Sequence, residues 1–456
     1  MLLTFRVSNF RSFRNEVDIS LLATRLDEGV GFPAVVSVDR NTVDVLPVIA
    51  ILGANASGKS NLMRAVEWMR QFVVESATRQ RGSAINRDPF LLDKAYLELP
   101  TLFEIEFTIG EDRYQYGFEI DGAAVIGEWL HTFPHRRAQT LFDRDRGDYT
   151  FGKKLGGRTK VLSDITREDV LFLSAGAQAG HDILGRIYDW FLSGLGFLDV
   201  PSRASASPSM LRRIEKRHKL AVSLLSEADL GIVDARVEHS VTEDETMEKR
   251  LRNLMWSDFP EDMPDSAREE EFQRLYAMYT QLEELKLMHR GVRGSFALPF
   301  EEESLGTKSW MAFVAYALDA LDTGGVLFVD ELDASLHPIL MARAIRLFEK
   351  RSVNPRGAQL IFTTHDTTIL SGTGETLKLS RGQIWLAEKS DEGVSQIIPL
   401  SDFKPRKDEN VERGYLEGRY GGTPRLFPAR ATNRTARVIS ETTQFAKAGS
   451  RKPSDA

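Results

Sequence analysis

Val45-Leu46-Pro47-Val48-Ile49-Ala50-Ile51-Leu52-Gly53-Ala54-Asn55-Ala56-Ser57-Gly58-Lys59-Ser60 is a continuous apolar run that ends in glycine and opens into a new periodicity. The apolar part predicts a strand buried on both faces. After Ser60, the residues Leu62, Val66, Met69 and Val73 recur at helical spacing, with Arg64 and Glu67 on another face. Between strand and helix, residues 53–60 match Gly-x-x-x-x-Gly-Lys-Ser in full, in the context that pattern requires. Gly53 and Gly58 let the backbone N–H groups of the loop through Asn55, Ala56 and Ser57 curl around phosphate oxygens. The helix N-terminus adds the positive end of its dipole, Lys59 a point charge, and Ser60 a hydroxyl for Mg²⁺. The implied ligand is a nucleoside triphosphate.

Upstream, Leu3, Phe5 and Val7, then Val17, Ile19 and Leu21, alternate with polar neighbours and predict paired strands. Downstream, Leu102–Ile109, Tyr114–Ile120 and Ala124–Trp129 predict short strands joined by glycine turns, an antiparallel sheet flanking the main one. From about 165 to 290 the composition is helical, clearest over Leu171–Ser174, Ile183–Phe191, Ser209–Leu225 and Glu269–Arg290. Gly325–Asp330 and Gln359–Thr364 predict buried strands bracketing a helix from Ile339 to Lys350, the alternation of a parallel sheet. Gln383–Glu388 and Ser395–Leu400 predict a closing hairpin. After Phe427 the chain is basic and poor in apolar residues, so a tail without stable structure is expected.

Val326-Leu327-Phe328-Val329-Asp330-Glu331 delivers two carboxylates at the carboxyl edge of a strand, where the phosphate loop must also lie. Asp330 is assigned to Mg²⁺ through water and Glu331 to the attacking water, as general base or positioner. His365 follows the next strand, where a neutral imidazole can contact a γ-phosphate. Glu303-Ser304-Leu305-Gly306-Thr307-Lys308-Ser309 leads into an apolar helix and by itself reads as an N-cap with an anion-friendly first turn.

This set resembles the ATP-binding-cassette ATPases of the SMC, RecF and OLD group. The matching parts are the phosphate loop, a Ser-Leu-Gly-Thr-Lys signature, Asp-Glu-Leu-Asp-Ala-Ser-Leu-His-Pro at 330–338 and the switch His365. More narrowly, Asn9-Phe10-Arg11-Ser12-Phe13, Glu302–Thr307, Arg381-Gly382-Gln383-Ile384-Trp385 and Gly414–Pro424 resemble the bacterial AAA15 family of ATPases. The resemblance implies an α/β fold, an ABC-type P-loop NTPase head with a mixed central sheet, a flanking antiparallel sheet and a mainly helical insertion. Its parts would be an N-terminal lobe over 1–164, the insertion over 165–295, a C-terminal lobe over 296–427 and the tail 428–456.

It further implies ATP and Mg²⁺ as ligands, with Arg11 and Asn61 as additional nucleotide contacts. Two copies would form a head-to-tail sandwich, in which Ser304, Gly306 and Lys308 of one subunit close on the γ-phosphate held by Lys59 of another and Asp333 lines the same interface. Leu305 stands where transporter cassettes carry glycine, and no glutamine loop is identifiable in residues 74–115. The family implies the ATPase half of a phage-defence or abortive-infection system, a homodimer or larger even-numbered assembly. It would act beside a separately encoded effector such as a TOPRIM-type nuclease, with DNA or a phage protein as trigger. A RecF- or SMC-like DNA-repair ATPase is the alternative, since the catalytic motifs do not separate the two.

The 456 residues, 42% hydrophobic and 27% charged, suffice for about three folding units with a conventional core. With no cysteine, disulfides, thiolate metal sites and cysteine nucleophiles are excluded. The start Met1–Arg6 lacks the features of a secretory leader, and no apolar run approaches the roughly 20 residues of a membrane span, so a cytoplasmic protein is expected. The net charge of −7 excludes a uniformly basic coat but not local patches. A self-contained nuclease is disfavoured because the chain after His365 is short and holds no Asp-x-Asp pair.

Overall fold

The computed structural model describes residues 1–423 except 25–26, 28, 39–40, 135–136, 200–206, 229–230, 242–244, 257–258, 261–262, 372–377 and 406–408. The basic tail 428–456 lies outside the described residues. Strands β1 (Leu2–Ser8) and β2 (Val17–Ser20) form the expected antiparallel pair. A ribbon of β3 (Phe32–Val38) and β4 (Asn41–Val45) precedes β5 (Val48–Gly53). The apolar run 45–52 is therefore divided at Leu46-Pro47 rather than forming one strand. Proline has no N–H for a ladder, while its carbonyl accepts the Leu360 N–H at 2.8 Å.

After the helix Lys59–Glu75 come β6 (Thr101–Ile109), β7 (Asp112–Ile120), β8 (Val125–Thr132), β9 (Gln139–Asp145) and β10 (Asp148–Phe151). With β1 and β2 they build a seven-stranded antiparallel sheet in the order β10-β9-β8-β7-β6-β1-β2, four strands wider than the three-stranded flanking sheet expected from the sequence: the paired strands β1 and β2 join it, and β9 and β10 extend it. Glu128 of β8, fully buried, accepts the Phe172 and Leu173 N–H groups at 2.7 and 3.0 Å and the Tyr116 hydroxyl at 2.9 Å. One carboxylate thus satisfies the first amides of the helix Phe172–Gln178 and fastens it to this sheet.

The remaining strands are β11 (Leu195–Leu198), β12 (Ile232–Val241), β13 (Gln281–Gly291), β14 (Gly294–Pro299), β15 (Val326–Val329), β16 (Gln359–Thr364), β17 (Ile384–Lys389) and β18 (Ser395–Pro399). The central sheet runs β11-β15-β16-β5-β17-β18, parallel except for the final hairpin. Its side chains divide by strand period. Ile49, Ile51, Val326, Phe328 and Ile361 join the core shared with the helix Lys59–Glu75 and the antiparallel sheet. Val48, Ala50, Leu52, Leu327, Val329, Leu360 and Phe362 join the core under the helices Leu305–Thr323 and Pro338–Glu349. At about 1.5–3 kcal/mol for each large side chain buried, this sandwich fixes the loops at its carboxyl edge.

Within 165–295 the structure is not uniformly helical: β11, β12, β13 and the start of β14 lie in this stretch. Leu195–Leu198 is the edge strand of the central sheet, in parallel register with Val326–Val329. The helical reading of Glu269–Arg290 holds only to Thr280, after which β13 pairs with β12 and β14. Leu285 and Leu287 are buried at strand period, and this pairing overrides the helix propensity of Leu, Glu and Lys in that stretch. Ser209–Leu225 divides at Arg217 into the helices Pro208–Lys216 and His218–Ser226.

Candidate functional site

The phosphate loop leaves β5 at Gly53, where a side chain would fall on the Ala387 carbonyl and 2.7 Å from Ser57 Oγ. Gly58 has φ +111°, and a Cβ there would lie 2.5 Å from Ser395 Oγ. Neither position admits another residue without strain, which is the physical content of the motif. Ala56, between them, also has positive φ, 61°. Lys59 Nζ donates to the Gly53 and Ala54 carbonyls at 2.8 and 3.0 Å. Burial pushes its pKa below the usual lysine value, against the pull of Asp330, Glu331 and Asp333. Ser57 Oγ is buried with no hydrogen-bond partner among the described residues. A cradle that only glycine fits, an orphaned hydroxyl and a buried ammonium fit a phosphate chain.

Gly53, Ala54, Asn55, Ala56 and Ser57 share a cavity of about 1080 Å³ with His365. Ser60 lines a second cavity, about 420 Å³, with Asp330 and Glu331. Asp330 Oδ1 accepts the Thr363 hydroxyl at 2.6 Å, and that same oxygen of Thr363 accepts the Glu331 N–H at 2.7 Å. Glu331 has φ +51°, an uncommon backbone for glutamate, held by Ala334 N–H donating to its carbonyl at 2.8 Å. Among the described residues no three potential ligand side chains converge as a metal cage of their own. Ser60 and Asp330, on one cavity lining, offer hard oxygen donors of the kind magnesium takes alongside a substrate's phosphates.

His365 is exposed, and its backbone N–H donates to Asp333 Oδ2 at 3.2 Å; Asp333 Oδ1 is buried without a partner among the described residues. Ser304 caps the helix Leu305–Thr323, accepting the Thr307 N–H at 3.1 Å. Gly306 packs where a Cβ would lie 2.9 Å from the Ser335 carbonyl, so the signature turn rests on the segment that follows Glu331. Lys308 Nζ donates to the Glu301 carbonyl at 2.7 Å. Neither cavity described above has Ser304, Gly306, Lys308 or Asp333 in its lining. Arg11, with φ +51°, is engaged by Asp88 at 2.7 Å. With Ser12, Asn61 and Lys389 it lines a third cavity of about 540 Å³, and Asn61 Nδ2 donates to Ser12 Oγ at 2.7 Å.

Two contributors escaped the sequence. Thr363 looks like an ordinary strand residue, yet its hydroxyl organises both carboxylate positions; its place two residues before His365 was the available signal. Asp199 follows β11, whose Leu198 pairs with Val329, so it emerges beside Asp330 and lines the 420 Å³ cavity. Burial and the Asp199 charge raise the pKa of Glu67 in the same lining. Asp199 lies well beyond residues 74–115 because β6 to β10 and the helices Thr159–Ile165, Phe172–Gln178 and Asp182–Ser193 intervene before the chain rejoins the central sheet.

A family model described as "AAA domain, putative AbiEii toxin, Type IV TA system" matches residues 48–371. No curated protein matches the chain. Among solved structures, it is similar to an Smc head bound to the C-winged helix domain of ScpA, at 14% identity and TM-score 0.37, covering 87% of this chain and 96% of that one. It is also similar to an Smc head with an extended coiled coil bound to the C-terminal domain of ScpA from Pyrococcus furiosus, at 15% identity and TM-score 0.38, covering 88% and 97%. A third, an Smc head with coiled coil and joint from Pyrococcus yayanosii, gives 13% identity and TM-score 0.35 over 91% and 99%. The matched region contains the phosphate loop, Ser304, Asp330, Glu331 and His365, and the chain belongs to this AbiEii-type AAA-domain family of P-loop ATPases.

Proposed function

We propose that the protein hydrolyses ATP with a site shared between two copies, and that this cycle controls a separate effector in a bacterial anti-phage system. The observation that carries the hydrolytic part is the arrangement of Ser60, Asp330 and Glu331 around one cavity, behind a loop that holds Lys59 between carbonyls and carboxylates. Bound magnesium would neutralise phosphate oxygens, with Ser60 and Asp330 as its protein contacts. Lys59 exchanges its loop carbonyls for phosphate oxygens, and Glu331 accepts a proton from the attacking water or orients it. His365, beside the same loop, contacts the γ-phosphate through its imidazole.

The shared-site part draws on Ser304 and Gly306. They stand outside the linings of the phosphate-loop and Asp330 cavities, on a turn supported by Ser335, and would complete the site of a second copy. The defence role rests on the family, whose description names toxin–antitoxin systems. ATP would close the pair by binding the closed form more tightly, and hydrolysis would reset it. Lys59→Ala is expected to weaken ATP binding at least a hundredfold in a fluorescent-nucleotide titration while the far-ultraviolet circular dichroism stays unchanged. Wild-type affinity in that variant would sink the assignment of the phosphate site.

A further inference from the structure

Beyond the matched region, the helix Val411–Leu416 and the turn to Thr423 return to the phosphate loop. Tyr415 and Tyr420 fold inward, each 6% exposed. Tyr420 donates to Glu409 Oε1 at 2.7 Å and packs against Gly414, where a Cβ would lie 2.8 Å from its hydroxyl. Tyr415 donates to the Gly422 carbonyl at 3.1 Å. Gly418, Gly421 and Gly422 have φ of +77°, +72° and +71°, so the turn is a tight corner of left-handed glycines braced by two tyrosines.

This corner presses on the site's own backbone. A Cβ on Gly421 would fall on the Glu388 carboxylate. One on Gly422 would lie 3.3 Å from the Ala387 carbonyl and 3.8 Å from Gly53 Cα. Ala387 is paired with Gly53 across β17 and β5, so the layers from corner to phosphate loop are backbone against backbone. Tyr415, Leu416, Gly418, Gly421, Gly422 and Thr423 line the 1080 Å³ cavity together with Gly53–Ser57 and His365. The same helix reaches the switch loop, where Glu412 Oε1 accepts the Thr367 hydroxyl at 2.9 Å, two residues past His365.

We propose that Val411–Thr423 is a positioning element of the nucleotide site, setting ATP affinity through Gly422 against the phosphate loop and turnover through Glu412 against the His365 loop. It rests on the reading of this cavity as the ATP site. The approach at Gly422 is tight enough that an added side chain makes the Ala387 carbonyl give by a few tenths of an ångström, and with it the Gly53 peptide from which the loop's N–H groups are aimed. Loss of the Glu412 contact frees Thr367 and loosens His365 without touching the phosphate loop.

The test uses the full-length protein, a fluorescent ATP analogue and steady-state phosphate release. Gly422→Ala, with its strained φ and crowded Cβ, is expected to weaken ATP binding about tenfold with kcat within twofold of wild type. Gly110→Ala, at φ +62° in open space, carries the same backbone strain and should bind as wild type. Glu412→Ala should lower kcat about tenfold at unchanged affinity. Glu412→Gln, whose amide oxygen still accepts the Thr367 hydroxyl, should restore it. If Gly422→Ala does not fold, Tyr415→Phe removes only the hydroxyl and should weaken binding about threefold. Wild-type affinity in Gly422→Ala, or in Tyr415→Phe where that variant replaces it, overturns the proposal. So does an equal loss in Gly110→Ala, or failure of Gln to restore turnover. A wild-type protein that binds no ATP would instead sink the reading of the cavity itself.

Discussion

Glu331→Gln is expected to bind ATP with wild-type affinity, to lower turnover by about 10² to 10⁴ and to accumulate ATP-bound assemblies. The isosteric amide keeps the geometry, because the backbone at this position is fixed by others. The Thr363 hydroxyl receives the Glu331 N–H, and the Ala334 N–H closes the turn on its carbonyl. Holding glutamate at φ +51° costs on the order of 1–3 kcal/mol, which those contacts and the packed strand β15 offset. What the substitution removes is the capacity to accept a proton. Single-turnover hydrolysis and light scattering on a gel-filtration column, both with ATP and Mg²⁺, check the two halves. Equal rates in wild type and variant would remove Glu331 from the chemistry.

The second large effect concerns Ser304. Its hydroxyl caps the helix Leu305–Thr323, and Leu305 beside it is 63% exposed, at the edge of the face that the proposal gives to a second copy. Ser304→Arg removes a cap contributing about 1 kcal/mol and adds a bulky cation where the turn would approach phosphate. Turnover should fall below a hundredth of wild type while ATP still binds at Lys59. Lys59→Ala is expected to be inactive for the complementary reason. Mixed in equal amounts, the two proteins form hybrid pairs with one site built from intact Lys59 and intact Ser304. Random pairing of a two-site dimer then returns about a quarter of wild-type activity. No recovery at any mixing ratio would argue for sites contained within one chain.

The strand, loop and helix around Lys59, the Asp330-Glu331 strand and the histidine after β16 were legible because each is a local pattern, a run of apolar residues ending in the groups proposed to carry the chemistry. Sheet partners were not local. Asp199 enters the site only because β11 pairs with β15, a register that no short window of sequence contains. Thr363 is unreadable for a related reason, since a threonine hydroxyl in a buried strand gains meaning only from the carboxylate opposite it. Gln281–Gly291 was misread because Leu, Glu and Lys suit a helix, and the choice of strand is made by β12 and β14 on either side. The glycine motif at 414–424 was visible as a motif, but its contact with Gly53 depends on folding the chain's far end over the central sheet.

Sharing of each ATP between two molecules is tested most directly by ATP hydrolysis per protomer across a dilution series, with the mass in solution followed in parallel. It predicts a rate per protomer that climbs with protein concentration and levels off as ATP-bound dimer saturates. A rate per protomer that stays constant down to concentrations where only the 51.3 kDa monomer is present would contradict it.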